Sequence, residues 1–209
     1  MQDKLSYREH NKHYEQSIAI DSERRIHKQH DLNRDYLYKD DHPHGRLLDQ
    51  HELKVAVDIG SGTGWFSNHL VDCRKYDLVY AVEPSQAAID IAEELYPDND
   101  KVKNIVGFAE EELLKIKLDE PTLFSSMCTF AHLPDDVCLS IMKSMDEIAP
   151  VGSIWAASEP WGKEYHRDCW HTRPPEWWSD NLPDWEFEFH ADYALSDPPG
   201  RYKGFFAIR

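Results

Sequence analysis

Apolar and polar residues change their rhythm three times along this chain. Up to about residue 53 apolar positions are sparse. Tyr14, Ile18 and Ile20, then Leu32, Tyr36 and Leu47, allow one or two modest amphipathic helices and no strand. Pro43 marks a break before Leu47-Leu48. From Lys54 onward, short apolar runs alternate with longer stretches of helical period. The pattern predicts strands at 55–59, 77–82, 102–106, 122–130 and 153–157, and helices at 64–74, 85–95, 110–116 and 135–148. Five such alternations imply a mostly parallel sheet with helices on both faces. The last part changes character again. Residues 161–185 hold five of the seven Trp and three prolines in irregular order, and strands are predicted at 185–191 and 202–209.

Composition narrows the class. A chain of 209 residues suits one domain, and 41% apolar residues supply a core. No stretch approaches the ~18–20 apolar residues of a membrane span. Residues 1–10 are polar and charged, unlike a secretory signal. Cys73, Cys128, Cys138 and Cys169 are scattered, which suggests reduced thiols and a cytoplasmic location. The net charge of −16 argues against a nucleic-acid substrate, because an acidic surface repels phosphates. That acidity is uneven. Residues 1–54 hold 10 basic and 11 acidic side chains with seven of the twelve histidines, whereas residues 55–209 hold 13 and 28. The N-terminal segment can therefore meet an anionic small molecule.

The candidate chemistry begins where the first strand ends. Asp58-Ile59-Gly60-Ser61-Gly62-Thr63-Gly64 puts a glycine at every second position between a strand and a helix, so a ligand can approach the backbone. Dinucleotides and S-adenosylmethionine both use such loops. The dinucleotide spacing needs its third glycine where Trp65 stands, and an indole there crowds a pyrophosphate. The spacing instead resembles the first motif of class I S-adenosylmethionine-dependent methyltransferases. Later segments are similar to that family too. Glu83-Pro84 closes the second strand 19 residues beyond Gly64, where an acid can accept both ribose hydroxyls. Gly107-Phe108-Ala109-Glu110 follows the third strand, and Ala131-His132-Leu133-Pro134 follows the fourth. Pro150-Val151-Gly152 precedes the fifth, with Val151 departing from the family's Pro-Gly-Gly turn. The resemblance spans roughly residues 54–160.

The resemblance implies a doubly wound, seven-stranded, mostly parallel sheet with an antiparallel last strand. It also implies S-adenosylmethionine as cofactor, bound by Asp58, Gly60, Ser61, Gly62, Gly64, Glu83, Pro84, Phe108, Ala109, Glu110 and Thr129. Phe108 would pack on adenine and Glu110 accept its amino group, although Glu110 also belongs to a run of three acids that suits any helix start. Asp58 has two expected tasks: capping the loop amides and acting indirectly on the methionine ammonium. His132 and Glu159 are the candidate catalytic bases, each at the C-terminal end of a strand, and Glu159 is alternatively an ammonium partner. For His132 the alternative is a loop histidine that shapes the pocket; for Glu159 it is a solvated strand-end carboxylate. Trp161, Trp170, Trp177 and Trp178 form either a substrate wall or packing for the late strands.

Three other clusters are weaker. His166, Cys169 and His171 lack the paired spacing of a zinc site, so no metal is expected. Asp197-Pro198-Pro199-Gly200 reads as a turn, and Arg24-Arg25 with its neighbours as a solvated face or an anion site. The expected organisation is a helical cover over residues 1–53 and a methyltransferase domain over 54–209, with 161–184 as a Trp-rich substrate insertion. The expected activity is methyl transfer to O or N of a small molecule. Transfer of another sulfonium substituent and a non-catalytic binding subunit are the alternatives. Oligomeric state and acceptor identity are not legible.

Overall fold

The computed structural model describes residues 51–159, 171–190 and 203–209. The expected N-terminal cover therefore lies outside the described residues, apart from its last three positions. So do Trp161, His166, Cys169, Trp170 and the 197–200 turn. The described strands are β1 (Val55–Ile59), β2 (Leu78–Glu83), β3 (Val102–Val106), β4 (Thr122–Met127), β5 (Ile154–Glu159), β6 (Glu186–His190) and β7 (Lys203–Ile208). The helices are α1 (Trp65–Asp72), α2 (Gln86–Leu95), α3 (Ala109–Glu112), α4 (Asp135–Ile148) and α5 (Pro175–Asn181).

The strands form one sheet in the order β3-β2-β1-β4-β5-β7-β6. Adjacent strands from β3 to β5 are parallel, while β7 runs antiparallel to both β5 and β6. This is the predicted seven-stranded sheet with its antiparallel last strand. β1 and β4 are buried almost throughout because both faces of the sheet are covered. On one face α1 brings Phe66, Leu70 and Val71 onto Ala56, Val79 and Leu123. On the other, Ile141, Met142 and Met145 of α4 and Trp178 of α5 join Val57, Phe124 and Trp155. Each such side chain contributes roughly 1.5–3 kcal/mol on burial.

Two predicted elements change shape. β4 stops at Met127, and the chain turns through Cys128, at φ 55, into a 3-10 turn over Phe130–His132. The cause is Glu159, whose carboxylate collects three successive amides, from Thr129, Phe130 and Ala131. A strand points successive amides in opposite directions, so only a tight turn can offer three to one acceptor. The predicted helix at 110–116 becomes one turn of α3 followed by a 3-10 turn, Leu113–Lys115. Tightening of that stretch puts Leu113 and Ile116, three residues apart, on one face, where both are buried.

Candidate functional site

Order along the sheet reverses between β1 and β4, and in open α/β sheets ligands bind outside the strand ends at this point. Gly60, Gly62 and Gly64 all have positive φ, at 74°, 55° and 75°. Two of them also leave no room for a side chain. A Cβ on Gly60 would lie 2.4 Å from Thr129 Oγ1, and one on Gly64 would lie 2.9 Å from the Ala92 Cβ. Gly60 therefore lets the turn after β4 close against the loop, and Gly64 lets α1 pack on α2.

Glu83 is buried at the end of β2 and holds this loop. Its Oε2 accepts from the Gly62 amide at 2.9 Å and its Oε1 from the Ser85 amide at 3.0 Å. The Gly60 and Ser61 amides go to Val82 O, and the Gly64 amide to Ser61 O. Capping of the loop, one task expected of Asp58, is thus performed by Val82 and Glu83. Asp58 instead accepts from Ser67 Oγ at 2.7 Å and Ser125 Oγ at 2.8 Å, tying α1 to β4 beneath the loop. Burial pushes its carboxyl up to about 6, against the opposing effect of those hydroxyls.

Around the loop, Pro84 and Phe108 are half-buried, Ala109 is buried and Glu110 is half-buried. Phe108 caps α3 from an extended conformation, and Glu110 lies in its first turn. Thr129 donates its hydroxyl to Ile59 O at 2.9 Å, so the ends of β1 and β4 are joined. His132 closes the 3-10 turn with its amide on Thr129 O at 3.1 Å. Glu159 is wholly enclosed, at 0% exposure, and not the solvated carboxylate that is the alternative at a strand end. Burial pushes it up to about 7, although three amides and Ser126 favour its charged form.

The tryptophan cluster divides. Trp178 is core, 5.7 Å from both Phe130 and Trp155 ring to ring. Of the two readings of the cluster, packing is the one that holds for Trp178: the indole fills the angle between α5 and the sheet. Trp177 is half-buried and lies under the Arg173 guanidinium, 4.8 Å from its ring centre. His171 donates its amide to Ala131 O at 2.7 Å. Among the described residues no group of His, Cys, Asp and Glu could hold a metal ion. No described helix is long and apolar enough to cross a membrane.

Sequence reasoning missed Arg173, which is 3% exposed. It donates to Phe130 O at 2.9 Å and Leu133 O at 2.6 Å, and pairs with Asp135 at 2.8 Å. A single arginine beside two prolines carries no pattern that marks it. Ser67, Ser125 and Ser126 were missed for the same reason.

A bound S-adenosylmethionine needs acceptors for its ribose, donors for its carboxylate and a backbone that lets it approach. The residues present fit. Ser61 Oγ and Thr63 Oγ1 are buried in the loop and have no hydrogen-bond partner. Glu83, whose carboxylate oxygens accept from the Gly62 and Ser85 amides, stands beside the same loop at the end of β2.

Comparison with known proteins agrees with this arrangement. Residues 57–149 match the model of a methyltransferase domain family. No protein of curated function matches the sequence. A DhpI–SAH complex superposes with a TM-score of 0.66 at 17% identity, covering 93% of this chain and 92% of that one. Phosphoethanolamine N-methyltransferase 1 of Haemonchus contortus, solved with phosphoethanolamine and S-adenosylhomocysteine, gives 0.61 at 14% identity. That match covers 78% of this chain and 41% of the other. Human N-acetylserotonin methyltransferase in complex with SAM gives 0.58 at 14% identity, covering 80% and 52%. At these identities the structural likeness concerns the fold, which is common to all three. Residues 57–149 thus match a methyltransferase domain family, and the sheet around them has the fold of the S-adenosylmethionine-dependent methyltransferases that it superposes on.

Proposed function

We propose that the chain transfers a methyl group to an oxygen or nitrogen atom of a small-molecule acceptor. The observation that carries this reading is the paired arrangement at the switch point. A left-handed glycine loop is anchored by Glu83 on one side and meets the Thr129–His132 turn on the other. The acceptor would approach over that turn. The net charge of −16 supports a small acceptor over a polyphosphate backbone. Small-molecule names among the structural neighbours point the same way.

In this reading Gly60, Ser61, Gly62 and Gly64 present the loop to the methionine end, and Glu83 with Pro84 binds the ribose. Phe108, Ala109 and Glu110 surround the adenine, and Thr129 fixes the turn against the loop. Asp58 acts from beneath, through Ser67 and Ser125. When bound, the cofactor supplies an electrophilic methyl group on a sulfonium. The protein contributes orientation and proximity. His132 accepts the acceptor's proton where the acceptor is a hydroxyl or a protonated amine. Glu159, enclosed and engaged with three amides, positions the turn and does not touch the acceptor.

Calorimetric titration with S-adenosylhomocysteine and NAD tests the cofactor side. Tight binding of the first and none of the second is expected; equal affinity overturns the assignment. Incubation with methyl-labelled cofactor and a panel of hydroxyl, amine and carboxylate metabolites then reads the acceptor class. Label recovered only in nucleic acid or protein would overturn the small-molecule reading.

A further inference from the structure

The turn that carries His132 is held from two opposite sides. Its amides at Thr129, Phe130 and Ala131 converge on the Glu159 carboxylate, at 3.0, 3.2 and 3.1 Å. Its carbonyls face the other way. Phe130 O and Leu133 O accept from the two terminal nitrogens of Arg173, at 2.9 and 2.6 Å, and Ala131 O accepts from the His171 amide at 2.7 Å. A buried carboxylate and a buried guanidinium are therefore joined through the peptide units between them, with aligned peptide dipoles in a low-dielectric interior. Arg173 is fixed in turn. Its Nε donates to Asp135 at 2.9 Å, and its plane lies 4.8 Å from the ring centre of Trp177 and 5.8 Å from that of Trp178.

We propose that Arg173 is a positioning residue for His132, acting as the carbonyl-side half of a clamp whose amide-side half is Glu159. The inference rests on the reading of His132 given above. Arginine suits the task because its planar fork reaches two carbonyls three residues apart in fixed geometry, which a single ammonium cannot do. A buried cation is costly, and apolar side chains would pack α5 onto the sheet as well or better. Its retention at this place is explained by what it orients. Arg173 precedes α5, some 40 residues beyond the turn, so the 171–182 segment determines where His132 stands.

The test compares wild type with Arg173→Gln and Arg173→Lys, using histidine-selective carbon-13 NMR, amide exchange, thermal unfolding and S-adenosylhomocysteine titration. The His132 ring signal is assigned from its loss in His132→Asn. In R173Q, the Phe130 and Ala131 amides should exchange at least about tenfold faster, and the His132 signal should shift or broaden. Tenfold corresponds to about 1.4 kcal/mol, the low side of what hydrogen bonds to a charged group contribute. Affinity for S-adenosylhomocysteine should stay within about threefold, because the hydrogen bonds of Arg173 go to Phe130, Leu133, His171 and Asp135. R173K should recover much of the thermal midpoint without restoring the His132 signal. If R173Q does not fold, R173K carries the same NMR and exchange readings. An unchanged His132 signal, or complete recovery by lysine, overturns the clamp. Should wild type fail to bind S-adenosylhomocysteine, the functional reading falls while the clamp is still decided by the NMR and exchange data.

Discussion

Single residues at this site act through the backbone as much as through their own chemistry. Glu83 is both the expected ribose acceptor and the acceptor for the Gly62 and Ser85 amides. Replacing it with Gln keeps one acceptor oxygen and removes the charge. Affinity for S-adenosylhomocysteine should then fall by about 1–3 kcal/mol, measured by calorimetry. Unchanged affinity would show that Glu83 only shapes the loop. At Gly60 a methyl group meets both a backbone at φ 74° and the Thr129 hydroxyl. Gly60→Ala should lose roughly 1–3 kcal/mol in urea unfolding, the usual cost of a strained backbone position. It should also weaken cofactor binding, since the two loops can no longer close together.

At the scale of elements, α5 decides what the tryptophan-rich region does. Its two adjacent indoles face different surroundings. Trp178 packs on Phe130, Trp155 and Phe205, while Trp177 is half-buried beside Arg173. Trp178→Ala should cost about 3–5 kcal/mol of stability, as for a large core aromatic. Trp177→Ala should cost much less and disturb chiefly the Arg173 contact. Denaturant unfolding of both variants checks the contrast, and similar losses would place both indoles in the core. The turn after β4 is the other decisive element. The apolar run predicts a strand as far as Phe130. A buried carboxylate thirty residues away bends it into a 3-10 turn.

At the scale of the molecule, Asp58 on β1 and Glu159 on β5 are enclosed carboxylates whose protonation burial shifts. Burial raises both above their ordinary values of 3.8 and 4.5, to about 6 and about 7. The folded state therefore binds more protons than the unfolded state between about pH 4 and pH 7. Stability from these two groups is present below about pH 4 and is lost as pH rises to about 7, with no further loss above. For Glu159 the change is on the order of 3 kcal/mol. Thermal unfolding from pH 4.5 to 8 should show Glu159→Gln losing part of this slope relative to wild type. An identical slope in the variant would mean that the carboxyl is ionised throughout.

Much of this architecture was legible in the sequence because it depends on local information. Apolar runs of strand length, helical spacing between them and a glycine at alternate positions are properties of neighbouring residues. They sufficed for the seven strands, the glycine loop after β1 and the placement of Glu83 at the end of β2. What the tertiary structure decided depends on residues far apart in the chain. Asp58 finds Ser125 across 67 positions, Glu159 gathers a turn 28 to 30 positions earlier, and Arg173 reaches the same turn across about 40. No spacing rule predicts such partners, because burial makes each lone polar group seek whichever complementary group the folded sheet brings within 3 Å. Trp177 and Trp178 make the same point. Adjacent and identical in sequence, they differ in role because a helix turns one toward the sheet and the other toward Arg173.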